Sequence, residues 1–272
     1  MTPASGFDTA RFERLRRERS LVLGAPLTHS ATTGSTNDDA LAAARAGAPH
    51  GATFVADHQS AGRGRRGRTW LAPAGECLLF SVVLKLPFEL ESLPILSLVA
   101  GLSTRAALAH HLESQPGRPG AMGAPGVGVK WPNDVWVRDA KIAGVLVEAQ
   151  MNGDTLACVV VGIGVNVAVQ HFPNTLGTPA TSLSLEGGTA AREELLADVL
   201  LGLERRVHAL LRGGMAGLLE ELRAHDVLAG RRVRIETVTG TATGIDEEGR
   251  LCVRVADGTV VPVRAGTVEL LP

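Results

Sequence analysis

A chain of 272 residues with 45% hydrophobic and 20% charged side chains has the composition of a globular protein that buries a core. Its 27 basic residues are balanced by 28 acidic ones, which argues against a polyanion-binding surface spread over the whole molecule. No apolar run reaches the roughly 18 residues needed to span a bilayer, and the first twenty residues lack the apolar centre of a signal peptide, so no membrane partner is expected; three widely separated cysteines point to a reducing, cytoplasmic home.

Residues 8–20 read as a short basic helix on a solvated arm. Ser35-Thr36-Asn37-Asp38, ahead of DALAAARAG, reads as a helix N-terminus that Gly47 and Pro49 close. Residues 52–59 and 77–86 read as strands on either side of GRGRRGRTW, residues 62–70. Pro94 opens ILSLVAGLSTRAALAHHLES, read as an amphipathic helix, and the Pro/Gly-rich residues 115–128 read as a mobile connection. Three strand-like runs follow, VGVKW, DVWVRDAKIAGVLVEAQ and TLACVVVGIGVNVAV, with Asn152-Gly153 as a hairpin turn between the last two. Glu193 to Arg212 is helical with Leu195, Leu196, Val199, Leu203, Val207 and Leu210 on one face, and a second short helix covers about 215–225. From Arg231 short alternating runs with glycine-containing turns fit a small all-β barrel of roughly 45 residues. Cys77, Cys158 and Cys252 lack metal-ligand spacing, and the first two sit in apolar runs as buried thiols do.

The loop at 62–70 sets Arg63, Arg65, Arg66 and Arg68 among Gly62, Gly64 and Gly67 and ends on Trp70. Glycine lets the backbone approach a ligand closely, and arginine offers a planar fork that fits carboxylate or phosphate. The pattern points to an anionic small molecule. A second cluster, KWPNDVWVRDAKIAGVLVE at 130–148, contributes Lys130, Asp134 and Lys141. Pro132 holds Trp131 extended, and Gly144 inside a strand marks close approach by a ligand or another backbone. GIGVN follows at 162–166; its GxG is not a dinucleotide fingerprint, because it lacks the context of a first strand.

GSTND, GRGRRGRTW, KWPNDV with its trailing KIAGVLVE, and GVN, in this order and spacing, resemble the biotin–protein ligases over about residues 29–272. The resemblance implies an α+β fold: a mixed, mainly antiparallel sheet with helices on one side, of the class II synthetase-like biotin/lipoate ligase type, followed by an SH3-like β-barrel. The corresponding segments are an arm at 1–28, a catalytic domain at 29–225 and a C-terminal domain at 226–272. It implies that ATP activates biotin as biotinyl-5′-AMP and that the biotinyl group passes to a lysine of a biotin carboxyl carrier protein. The segment before residue 29 is too short for a helix-turn-helix module, so the ligase-only type without DNA binding is expected.

The same resemblance distributes roles. Lys141 contacts the biotin carboxylate and the α-phosphate, and Arg63, Arg65 and Arg68 clamp phosphates on a loop opened by Gly62 and Gly64. Arg66 matches a more variable position and is left out. Ser35, Thr36 and Gln59 hydrogen-bond the ureido head, with Asn37 either joining them or only shaping the turn. Trp70 stacks on adenine and Asn166 reads its edge, Lys130 lies with Asp134 near the phosphates, and Gly144 joins the binding residues as a point of close approach. Asp134 helps hold Mg²⁺, orients the incoming lysine or caps the turn. His110-His111 shows no ligand spacing and is expected at the surface. The catalytic set is thus Lys141, Arg65 and Asp134, and a monomer and an edge-paired homodimer stay equally open. Two other readings remain: a lipoate–protein ligase, which would bind a substrate without a ureido ring, and a non-catalytic nucleic-acid binder, which would show strongly salt-dependent association.

Overall fold

The computed structural model describes residues 6–113 and 126–272. Residues 115–125 of the Pro/Gly-rich connection lie outside the described residues, while Val127 and Gly128, read as its end, already belong to a strand.

The N-terminal segment departs from the solvated arm expected of it. Helix α1 (Thr9–Glu18) starts at Asp8, whose carboxylate accepts from Arg11 N at 2.9 Å, a regular N-cap. Phe7, Phe12, Leu21 and Leu23 are buried in the main core. Ion pairs Arg11–Glu194 and Arg19–Asp198 tie the segment to a helix far along the chain. The basic character of the segment concealed two phenylalanines that need a partner surface.

Next come β1 (Leu27–Thr33), α2 (Thr36–Arg45), β2 (Thr53–Gln59) and β3 (Cys77–Leu84). Strand β1 was not legible: LTHSATT is polar and only half-buried, as an edge strand can be. Helix α3 (Leu93–Glu113) is followed by β4 (Val127–Lys130), β5 (Asp134–Val137), β6 (Ala140–Asn152) and β7 (Thr155–Asn166). The run read as one strand from Asp134 splits at Arg138-Asp139, where Arg138 takes φ 53° and Val137 pairs with Ala140 across a two-residue turn. The turn expected at Asn152-Gly153 is present, with Asn152 paired to Thr155 and Gly153 at φ 59°.

The seven strands form one sheet in the order β1-β2-β3-β7-β6-β5-β4. Among the described strands of this sheet only β1–β2 is parallel, because α2 carries the chain back to the start of the sheet before β2 begins. Helices α3, α4 (Arg192–Gly213) and α5 (Ala216–Ala224) belong to the main core, α3 packing on the sheet and α4 on α3. The short α2 lies on the opposite face: Ala40 packs with Val83 and Val160, whereas Val82 and Val161 point to the α3 side.

Helix α3 is not amphipathic as read, because every residue from Leu96 to Thr104 is buried. The helical segment Leu90–Glu113 is long and apolar enough to cross a membrane by length and composition, yet sheet and α4 enclose it as a core helix. Its buried hydroxyls are satisfied locally, Ser103 on Val99 O and Thr104 on Ala100 O. His111 is not a surface residue either; its Nε2 lies 2.9 Å from Asp198 Oδ2, whereas His110 is exposed. All three cysteines are free, and burial pushes the Cys77 thiol up to about 12.

The C-terminal barrel comprises β8 (Arg232–Ile235), β9 (Val238–Ile245), β10 (Leu251–Arg254), β11 (Val260–Val263) and β12 (Val268–Leu270), ordered β11-β10-β9-β8-β12 and all antiparallel. Its core residues Val233, Ile235, Leu251 and Val253 are continuous with the main core. Trp131, fully buried, donates Nε1 to Gly249 O at 3.0 Å and pins the barrel to the β4–β5 turn.

The connection into the barrel adds to β4: Val129 N donates to His225 O and Val227 N to Val129 O. Between them, Asp226 accepts from Leu228 N through Oδ1, while Oδ2 is buried without a partner among the described residues. Burial raises this carboxyl from 3.8 to about 6, with the Leu228 N–H opposing. The folded state therefore holds the proton more tightly than the unfolded chain, and the stability present below pH 4 is lost as pH rises through 6, by about 2–3 kcal/mol. Asp226→Asn should flatten that slope and be the more stable form at pH 7.5, as measured by urea unfolding between pH 4 and 7.5. An unchanged slope would show that the carboxylate finds a partner.

Candidate functional site

On the α2 side of the sheet, β6 and β7 present Gly144, Gly162 and Gly164, with Gly144 paired to Gly164 and Leu146 to Gly162. The absent side chains make a bare floor onto which other groups descend. A Cβ at position 162 would lie 1.9 Å from Asn37 Oδ1, and one at 164 would lie 2.6 Å from Trp70 Cε2. The close approach inferred for Gly144 is real; a Cβ there would meet Trp70 Cζ3 at 3.0 Å and Lys141 Nζ at 3.1 Å.

One end of the cavity over this floor is neutral. Ser35, Thr36 and Asn37 at the start of α2 meet Gln59 at the end of β2. Ser35 occupies the N-cap position without making a side-chain cap bond. Gln59 caps the helix instead, its Oε1 accepting from Thr36 N at 2.8 Å and Thr36 Oγ1 at 3.0 Å. The Asn37 amide is committed: Nδ2 donates to Glu148 Oε2 at 2.6 Å and to Leu146 O, and Oδ1 accepts from Ser81 Oγ at 2.5 Å.

The other end is cationic. The loop from Gly62 to Trp70 closes on itself, Trp70 N donating to Gly62 O and Gly64 N to Arg68 O, around a single 3-10 turn at Arg65–Gly67. Gly62 is not a wall of the cavity; it is required because a Cβ would lie 2.6 Å from Trp70 O. Arg63, Arg65, Arg68 and Lys141 line the cavity against one carboxylate, Asp134. Arg63 is bound bidentately to Glu148 at 3.0 and 2.7 Å and also reaches Asp38 at 2.7 Å. Arg65 reaches Asn133 Oδ1 at 3.3 Å; burial lowers its guanidinium, with Arg66 adding and Asp134 opposing. Arg66 turns away to Glu236 at 2.8 Å, and Arg68 donates to Thr267 Oγ1 at 3.0 Å, so the barrel holds the loop from above.

Lys141 Nζ sits 2.7 Å from Asp134 Oδ1 and 5.4 Å from the centre of the Trp70 ring. Lys130 is not among the lining residues; its ammonium is buried, donates to Val268 O at 3.3 Å and lies over Trp136 at 4.8 Å. Burial pushes its pKa down, with Asp134 opposing. Among the described residues no group of three or more His, Cys, Asp or Glu could hold a metal. A magnesium ion would find one carboxylate, Asp134, and would have to complete its shell with phosphate oxygens and water.

A second, larger cavity continues from the first, sharing Arg68, Thr69, Trp70, Asp134 and Lys141. Asn166 lies on its wall, but its amide is engaged, Nδ2 with Thr181 O at 3.0 Å and Oδ1 with Cys77 Sγ at 3.8 Å. Trp70 Nε1 is buried without a partner among the described residues. Sequence reasoning missed Ser81, Asn133 and Glu148. Glu148 could have been found by parity, since residues 144, 146 and 148 of one strand share a face.

The biotin/lipoate A/B protein ligase family model matches residues 31–166, and the biotin protein ligase C-terminal domain model matches residues 229–271. The chain is 38% identical to the biotin–[acetyl-CoA-carboxylase] ligase of Mycobacterium tuberculosis, covering 88% of this chain and 86% of that protein. It is 31% identical to the bifunctional ligase/repressor BirA of Bacillus subtilis over 92% of this chain and 75% of that one. The biotin protein ligase from Aquifex aeolicus in complex with biotin and ATP superposes with a TM-score of 0.76 at 28% identity, covering 91% and 99% of the two chains.

The glycine floor makes a direct prediction. Gly162→Ala should destabilise the protein by about 1–3 kcal/mol, because Asn37 must leave its buried network to admit the methyl group. Gly177→Ala, where a Cβ meets nothing within 4 Å, is the control. Equal melting temperatures for the two variants would show that the floor yields.

Proposed function

Because this chain belongs to the biotin/lipoate A/B protein ligase family, we propose that it uses ATP to activate biotin as biotinyl-5′-AMP and passes the biotinyl group to a lysine of a biotin carboxyl carrier protein. The observation that carries the reading is the two-ended cavity, with neutral donors and acceptors at Ser35, Thr36 and Gln59 and a cationic end at Arg65, Arg68 and Lys141. A cyclic urea needs both donors and acceptors, whereas a carboxylate meeting a triphosphate needs positive charge. The match of residues 229–271 to a biotin protein ligase domain supports biotin rather than lipoate.

In this reading the ureido ring binds at Ser35, Thr36 and Gln59, and the carboxylate points to Lys141. Two anions must meet when the carboxylate oxygen attacks the α-phosphorus and pyrophosphate leaves. Lys141, Arg65 and Arg68 offset that repulsion and hold the reactants in line. The indole of Trp70 offers an apolar face to adenine, its Nε1 a free donor. Asn166 supports the nucleotide wall through its bond to Thr181 O. A magnesium ion entering with the nucleotide would supply further charge neutralisation, with Asp134 as its protein ligand. The mixed anhydride is then shielded by the loop until the carrier lysine, as a neutral amine, attacks its carbonyl carbon and AMP departs.

Biotin-dependent ATP–pyrophosphate exchange tests the reading. Lys141→Ala should lower exchange by roughly 10²–10³-fold while the fold persists; near-normal exchange in that variant, or none in the wild type, would overturn it. Arg65→Gly should release biotinyl-AMP roughly tenfold faster, since one partly buried phosphate-side cation is lost and the loop loosens. Unchanged dissociation of preformed adenylate would remove Arg65 from the clamp.

A further inference from the structure

Glu148 has no part in the reaction as described, yet it occupies the point where the arginine loop meets the ring pocket. Its Oε1 and Oε2 accept from Arg63 NH1 and NH2 at 3.0 and 2.7 Å, and Oε2 also accepts from Asn37 Nδ2 at 2.6 Å. Beyond Asn37 the contacts continue without a break. Ser81 Oγ lies 2.5 Å from Asn37 Oδ1 and 2.8 Å from Thr36 Oγ1, and Thr36 Oγ1 lies 3.0 Å from Gln59 Oε1. Ser81 is fully enclosed and is not among the lining residues, so water cannot replace a bond that it gives up, whereas Thr36 and Asn37 border the cavity.

The protons on this chain are short by one. The Asn37 amide is fixed in orientation, because Nδ2 is held by Glu148 and Leu146 O. The Gln59 amide is fixed because Oε1 accepts from Thr36 N. Only the hydroxyl protons of Ser81 and Thr36 remain to serve three oxygen–oxygen contacts. Thr36 Oγ1 donates to Gln59 Oε1, so the Ser81 proton divides between Thr36 Oγ1 and Asn37 Oδ1. A ring N–H or carbonyl arriving at Thr36 or Gln59 would shift that division, and the contacts lead from Ser81 through Asn37 to the Glu148 carboxylate and Arg63.

We propose that Glu148 is a positioning residue that couples occupancy of the ring pocket to the order of the arginine loop, by holding Arg63 against the Asn37 amide. The inference rests on the biotin reading above. It also reassigns Arg63: flanked by Glu148 and Asp38, its charge anchors the loop, and the phosphates fall to Arg65 and Arg68.

The loop carries four arginines, so trypsin cleavage within residues 62–70, located by mass spectrometry, reads its order directly. Wild-type protein with saturating biotin should be cut there more slowly than without biotin. Glu148→Gln should still bind biotin in calorimetry but lose the protection roughly tenfold, the scale of a coupling between sites. Arg63→Met should do the same, and the double variant should lose no more than either single one. If Glu148→Gln fails to fold, Arg63→Met carries the test from the other partner. A merely structural role would lower the melting temperature and leave the biotin-dependent ratio of cleavage rates unchanged. Protection that survives both substitutions, or losses that add in the double variant, would overturn the coupling alone. A wild type that neither binds biotin nor gains protection would bring down the biotin reading and the coupling with it.

Discussion

The close packing of Asn37 and Trp70 onto a strand pair without side chains is the constraint from which the rest of the site follows. Gly144, Gly162 and Gly164 face the same side of β6 and β7, and a Cβ at 162 or 164 would fall within 3 Å of Asn37 or Trp70. With the floor bare, the start of α2 can sink to the sheet, and the end of the arginine loop can lay its indole beside Lys141. One device thus sets both the neutral end and the cationic end of the cavity. The cost is a sheet surface that cannot stabilise itself by cross-strand side-chain pairs at these positions, which the arriving Asn37 and Trp70 replace.

Charge within the site is arranged in two tiers. Arg63 and Lys141 each meet a carboxylate at 2.7 Å, whereas Arg65 and Arg68 have neutral partners, Asn133 and Thr267. A cation facing a neutral acceptor keeps its charge available to an incoming anion; one already in an ion pair must first be released. The loop therefore combines anchors and ligand-facing cations within seven residues. Its outer side is held by the barrel through Arg66 and Glu236, so the small C-terminal domain helps shape the loop as well as completing the core.

Local signals in the chain were sufficient for much of this. The turn at Asn152-Gly153, the helix start at Ser35-Thr36, the strands beside the arginine loop and the glycine in β6 each depend on residues within a few positions of one another. The motifs also named residues that line the first cavity, Lys130, Gly62 and Asn166 excepted, and of these Asn166 lines the second. Those three lie close by, but their polar or backbone groups are directed to Val268, Thr181 and Trp70.

The amino-acid sequence by itself determined the chemistry available to the site and the local elements that carry it, because backbone preference and side-chain type are properties of short segments. Tertiary structure alone decided the partners. Asp8 N bonds Glu193 across 185 residues, and Arg63 bonds Glu148 across 85. A polar segment became the edge strand β1, and an apparently amphipathic α3 became a helix buried on nearly every side. Which of several equally suited surfaces or charges meets a given residue depends on the register and face that distant elements present once they pack. No pattern within a single segment records that choice.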